Sequence, residues 1–410
     1  MRAAWTSIAV AFALAAAAAP APAAGPLATA ARLDREMRAT GPGASALVVD
    51  ADSGETIYAR GANAARVPAS VNKLHITAAA LMRLGPEARL ATDVLFARPP
   101  LDGVLDGNLY LRGGGDFTYG AAQTRRLAEA LADGGLTEVR GRVVGDEALF
   151  DGRRGPPSAG FAVSPWVGPL SALSYERGAS GASWPRFQSR PALFAAQRFE
   201  RALARAGVRV RRLARTGMAP ASATLVLSMP SAPVGSLVAA VNQPSDNFGA
   251  EMLIKLLGAR FAGQGSTAEG ARVVTEAMSE LGVRARVADG SGLSRANRTT
   301  AAQVVTLLQG MDASVDAAAF SSSLAVAGRS GTLRRRMRGT AAAGRCRAKT
   351  GTLTGISALA GYCSARRGRV AFAFLMNGVD VATARRRQDR MVATLGTYRA
   401  TGSATPTARR

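Results

Sequence analysis

The chain has 410 residues, 52 basic and 28 acidic side chains, one histidine and two cysteines. The length allows one large or two to three ordinary domains, and a composition 48% hydrophobic and 20% charged excludes wholesale disorder. A single histidine argues against a Ser-His-Asp or Cys-His nucleophile, and two cysteines with one histidine cannot build an ordinary zinc site. A net charge of +24 invites a nucleic-acid reading, but aromatics are only 5% of the chain and are not interleaved with the arginine clusters, so stacking platforms for bases are missing. Nucleic acid is therefore not the expected partner; anionic cell-wall polymers fit the charge better.

In chain order, Arg2 precedes an apolar run over 8–19 and then the small residues of 20–25. This reads as a secretory signal over 1–24, since a membrane span needs about 20 apolar residues. Residues 27–38 have a helical pattern. Residues 45–50 and 55–59 read as a hairpin turned at Asp52-Ser53-Gly54, and 71–84 as a buried helix stopped by Gly85-Pro86. Between 90 and 230 strand-like pieces at 93–96, 108–111, 139–144 and 223–227 alternate with Gly- and Pro-rich turns. Helical patterns return at 237–241, 245–257, 268–281 and 301–308. Strands are expected at 344–351, 356–362 and 369–375, followed by an amphipathic helix at 380–395. The two chain ends thus build one antiparallel sheet flanked by helices, with the middle inserted. The tail, 401–410, is polar and expected to be disordered.

Only three of the 52 basic residues are lysines: Lys73, Lys255 and Lys349. Lysine can be deprotonated where arginine cannot, so these three carry any amine chemistry. Ser70 and Lys73 lie three apart at a helix start, on one face. A serine hydroxyl needs a base, and an amine serves only if burial or a second cation lowers its pKa. The Ser70 N–H at a helix start can also face a developing oxyanion. Ser245-Asp246-Asn247 opens a second helix, offering a hydroxyl for proton relay and an amide for a substrate carbonyl, though alone it is a common helix cap. Lys349-Thr350-Gly351 sits on a strand, with Gly351 leaving room for a ligand backbone. Lys255, on the helix after Ser245, reads as solvent-facing or snorkelling. His75 is two residues past Lys73 and reads as packed, Asp116 as the cap of a Gly-rich turn, and Trp166 and Tyr175 as core. A hairpin of the 344–351 and 356–362 strands sets Cys346 opposite Cys363, and in an oxidising compartment these form a disulfide.

The triple set Ser70-x-x-Lys73, Ser245-Asp246-Asn247 and Lys349-Thr350-Gly351 resembles that of the penicillin-interacting serine enzymes. Further likeness lies in 48–58, 107–116, 289–294, 328–332 and 349–354, and spans about 27–395. The chain resembles the D-alanyl-D-alanine carboxypeptidase/endopeptidase family of low-molecular-mass class C penicillin-binding proteins. The resemblance implies an α+β, serine β-lactamase-like transpeptidase fold with a central antiparallel sheet. The catalytic domain would be 25–89 with 231–400, and 90–230 a mainly β insertion, short for the family. It implies that Ser70 attacks a peptidoglycan stem peptide between its terminal D-alanines and that Lys73 takes the proton. Ser245 would relay a proton to the leaving amine, Asn247 hold the peptide, and Lys349 and Thr350 bind the terminal carboxylate. The N–H groups of Ser70 and Thr352 would form the oxyanion hole. β-Lactams would acylate Ser70, and no cofactor is implied. Two other readings stand beside this one. A serine β-lactamase would share the set, but class A enzymes need a deacylating Glu-x-x-Asn, and none follows Ser245. A non-catalytic wall-polymer binder would not need the intact set.

Overall fold

A computed structural model describes residues 24–181, 186–365 and 368–400. The expected signal over 1–24, apart from Ala24, and the tail at 401–410 lie outside them. The first sheet is formed by β1 (Ala44–Asp50), β2 (Thr56–Arg60), β9 (Ala325–Val326), β10 (Cys346–Leu353), β11 (Ile356–Ser364) and β12 (Arg369–Asn377). Its order is β2-β1-β12-β11-β10-β9, every neighbour antiparallel, so strands from the two chain ends meet at β1 and β12. The expected hairpin register holds, with Cys346 opposite Cys363 and the two joined as a disulfide.

Both faces of this sheet are covered, and β12 shows why. Val370, Phe372, Phe374 and Met376 enter one core with α1 (Pro26–Thr40) and α10 (Val381–Leu395), through Leu33, Met37, Met391 and Leu395. Ala371, Ala373 and Leu375 enter the other. The period-two alternation of a strand thus feeds two cores, and the sequence reads as an unbroken apolar run. The second core is built by α2 (Lys73–Leu84), α5 (Val234–Asn242), α6 (Asn247–Phe261), α7 (Thr267–Glu280), α8 (Ala301–Asp312) and the short α9 (Ala317–Ser322). Capping explains several starts: Asp246 accepts from Gly249 N ahead of α6, and Thr300 and Gln303 form a capping box on α8.

The chain leaves this assembly along β3 (Arg89–Phe96) and returns along β8 (Thr224–Pro233), which pair antiparallel from Arg89 opposite Pro233. Between them lie β4 (Val104–Leu105), β5 (Leu109–Gly113), β6 (Glu138–Asp146) and β7 (Arg209–Thr216), in a second sheet of order β4-β6-β5-β3-β8 with β7 also on β6. Beside the expected strands this segment carries two long helices that the sequence reading above does not place, α3 (Ala121–Asp133) and α4 (Pro191–Arg205). The signal was present: Ala192, Ala195, Ala196, Phe199 and Leu203 form an apolar stripe at helical spacing and pack on Val139 and Val143 of β6.

Many arginines are tied to acids. Arg211 pairs with Glu138, Arg336 with Asp389, and Arg387 and Arg390 both grip Glu36. These clusters hold elements together at the surface, so part of the arginine content has structural partners within the chain.

Candidate active site

The chain turns into α2 through a single 3-10 turn, Ala69–Asn72, so Ser70 precedes the helix and Lys73 is its first residue. Ala69 takes the left-handed φ of +48°. Alanine is strained there; the turn is held by neighbours packed to within backbone contact. At Gly292 an added Cβ would stand 2.1 Å from the Ala69 carbonyl oxygen, and at Gly351 one would stand 2.6 Å from that of Pro68. The expectation that Gly351 leaves room for a ligand is thus corrected: its missing side chain lets β10 press against the Ser70 turn.

Ser70, Lys73, Ser245, Asn247 and Lys349 meet at one place. Lys73 Nζ donates to Ser70 Oγ at 3.0 Å, to Asn247 Oδ1 at 2.8 Å and to the Ser291 carbonyl. That same carbonyl accepts from Ser70 Oγ at 3.4 Å. Ser245 stands just ahead of α6 with a φ of +64°. Its hydroxyl accepts from Lys349 Nζ at 2.7 Å, and Lys349 also donates to the Thr350 carbonyl. Asn247 Nδ2 donates to the Trp166 carbonyl at 3.2 Å.

Burial sets the electrostatics. Lys73 and Lys349 are both fully buried. Desolvation pushes Lys73 down to about 8, against the opposing pull of Asp289, Asp246 and Glu251. Lys349 is held well below the ordinary lysine range by burial and then by the charge of Lys73. Beneath them Glu251 is pushed up to about 7, by burial and then by Asp289. Its Oε1 accepts from Ser291 N at 2.8 Å, which fixes the carbonyl that Lys73 grips. Asp289 holds the same loop by accepting from Gly292 N and Ser294 N.

These residues floor an open cleft of about 750 Å³. Ser70, Ser245 and Asn247 line it, with Thr350, Thr352 and the hydroxyl-bearing Thr332 along the β10 side. Thr350 Oγ1 donates to Thr332 Oγ1 at 2.9 Å. Alternation along β10 turns Thr350 and Thr352 to the cleft and Lys349 inward. Trp166 departs from the core role expected for it: it is 73% exposed and lines the cleft. Tyr175 packs against Tyr119 and Phe194 as expected, and Asp116 caps its turn by accepting from Thr118. His75 is buried, its Nδ1 facing the Asn72 carbonyl.

Lys255 overturns its solvent-facing reading. It is 1% exposed, donating to Asp151 at 2.5 Å and to the Arg153 carbonyl. With Arg177, which pairs with Asp246, it ties the 90–230 segment onto α6. Arg336 and Arg385, which line the cleft, and the Ser291 carbonyl and Glu251 had no signature of their own in the sequence. The stretches 289–294 and 328–332 were the visible signal for that region.

A serine bonded to a buried amine, with a second buried amine behind a second serine, beside the edge of an antiparallel sheet, defines the class of penicillin-binding, serine β-lactamase-like enzymes. The family model described as the D-Ala-D-Ala carboxypeptidase 3 (S13) family matches residues 30–179 and 178–398, and the chain belongs to this family of serine peptidases. A D-alanyl-D-alanine carboxypeptidase of Actinomadura sp. strain R39 is 32% identical over 434 aligned positions, covering 86% of this chain and 81% of the relative. Carboxypeptidase DacB of Mycolicibacterium smegmatis is 33% identical, covering 85% and 79%. The fold is similar to that of penicillin binding protein 4 from Haemophilus influenzae, with a TM-score of 0.75, 20% identity, and 88% and 98% of the two chains covered. It is also similar to a penicillin G-acylated predatory endopeptidase from Bdellovibrio bacteriovorus, with a TM-score of 0.59, 20% identity, and 86% and 91% covered.

Proposed function

We propose that Ser70 is the nucleophile of a D-Ala-D-Ala carboxypeptidase that also cleaves peptidoglycan cross-links as an endopeptidase. The observation that carries it is the position of Lys73: its buried Nζ shares hydrogen bonds with Ser70 Oγ and Asn247 Oδ1. Neutral Lys73 takes the Ser70 proton as Oγ adds to the carbonyl between the terminal D-alanines. The oxyanion is received by the N–H groups of Ser70 and Thr352. Collapse breaks the C–N bond, and the leaving amine gains a proton through Ser245, whose hydroxyl is bonded to Lys349. Asn247 holds the peptide and Thr350 contacts its terminus. Water then attacks the acyl-enzyme, returning Ser70.

β-Lactams enter the same path and leave slowly, a reading supported by the relative acylated by penicillin G. Residues 90–230 act as an inserted unit on a catalytic body formed by 25–89 and 231–400, since the chain departs and returns on paired strands. The chain is exported. Its signal-like start and the Cys346–Cys363 bond support this, and among the described residues no helix is long and apolar enough to cross a membrane.

The test is labelling and turnover. Purified protein should release D-Ala from a stem pentapeptide and split a cross-linked muropeptide, and Ser70→Ala should lose both along with fluorescent-penicillin labelling. Labelling that survives Ser70→Ala removes Ser70 from its role. Rapid release of hydrolysed penicillin would make the chain a β-lactamase instead.

A further inference from the structure

The cleft holds two cations and, among the described residues lining it, no carboxylate. They differ in what else they do. Arg336 is spent on the protein: its Nη2 lies 2.8 Å from Asp389 Oδ1, its Nε donates to the same carboxylate, and its side chain is only 15% exposed. Arg385, on the first turns of α10, is exposed and has no acidic partner among the described residues. Among the described residues, its one side-chain hydrogen bond runs from Nη2 to Thr352 Oγ1 at 2.8 Å. This anchors a free guanidinium over the hydroxyls that β10 turns to the cleft.

Lys349, the amine to which the resemblance gives the terminal carboxylate, is badly placed for one. It has no exposed surface, and its Nζ already donates to Ser245 Oγ and the Thr350 carbonyl. Its burial beside Lys73 also favours the neutral amine. A carboxylate entering beside Thr350 and Thr352 therefore meets a bidentate guanidinium at the surface before any amine below.

Resting on the peptidase reading above, we infer that Arg385 is the specificity-determining cation of this cleft, pairing with the free carboxylate on the residue beyond the scissile bond, while Lys349 serves Ser245 beneath. Preferred substrates then carry an ionised carboxyl on the residue beyond the scissile bond.

The experiment compares kcat/KM for an acyl-D-Ala-D-Ala peptide and its C-terminal carboxamide, in the unaltered enzyme, Arg385→Gln and Arg385→Lys. The unaltered enzyme should favour the carboxylate by roughly 10- to 100-fold, the size of one charge-assisted hydrogen bond. Arg385→Gln should lose that preference by falling on the carboxylate peptide alone, mostly through KM, and Arg385→Lys should recover part of it. Complete labelling by saturating benzylpenicillin and an unchanged Tm report an intact fold. A preference that survives in Arg385→Gln overturns the inference and returns the carboxylate to Lys349. Failure of the unaltered enzyme on both peptides would instead defeat the peptidase reading, leaving the two ideas separately decided.

Discussion

Lys73 Nζ and Ser70 Oγ lie 3.0 Å apart, with the amine fully buried and turned equally to Asn247 and the Ser291 carbonyl. A hydroxyl and an amine at this distance exchange a proton only when the amine is neutral, so the surroundings that set its pKa set the rate.

Activity should accordingly rise with pH. Lys73 sits at about 8, so below that value the neutral fraction falls tenfold per pH unit and penicillin acylation should fall with it. Above about 8 the profile should level. Glu251 and Asp289 push this value upward, so Glu251→Gln should move the limb to lower pH. Lys73→Arg, always charged, should lose about 10²–10⁴-fold at every pH. A flat profile from pH 6 to 9 would remove Lys73 as the base.

Stability should fall in acid through His75. Its ring is buried beside the Asn72 carbonyl, and burial holds its pKa down to about 4. Above about 6.5 neither folded nor unfolded chain is protonated there and no stability is lost. As pH falls through 6.5 the unfolded chain gains a proton that the folded one refuses until about 4, a loss of about 3 kcal/mol in all. Denaturant unfolding at pH 7.5 and 4.5 should show wild type losing about 2 kcal/mol more than His75→Gln. Equal losses would place the ring's titration elsewhere.

Gly351→Ala should damage the site from outside the reacting atoms. The added Cβ would stand 2.6 Å from the Pro68 carbonyl oxygen and 3.1 Å from Val71 N, so β10 and the Ser70 turn must separate. Overpacking of this kind costs about 1–3 kcal/mol, and a displacement near 1 Å at a reacting group costs about 100-fold in rate. Acylation rate and Tm should drop together. Full acylation by the variant would show that the approach of the two elements is not what aligns Ser70.

How much of this was legible before folding differs by residue. The rarity of lysine singled out Lys73 and Lys349, and the Cys346–Cys363 pairing followed from hairpin register, because neighbours on adjacent strands are fixed by simple counting. Helix spacing placed Ser70 and Lys73 on one face for the same local reason. Distant relationships were not readable. Lys255 looked like a surface lysine because its partner, Asp151, comes from the other sheet's segment. Trp166 looked like core because aromatic size says nothing about which side of a loop faces water.

The sequence by itself determined the three elements, their order, and the two helix starts and one strand that carry them, since each rests on contacts a few residues apart. Only the tertiary structure decided where the cations stand. Lys349 is turned inward onto Ser245 by the alternation of β10, while Arg385 reaches the cleft from α10 through Thr352. Charge in a protein acts through depth and distance, and both are set by elements far apart in the chain.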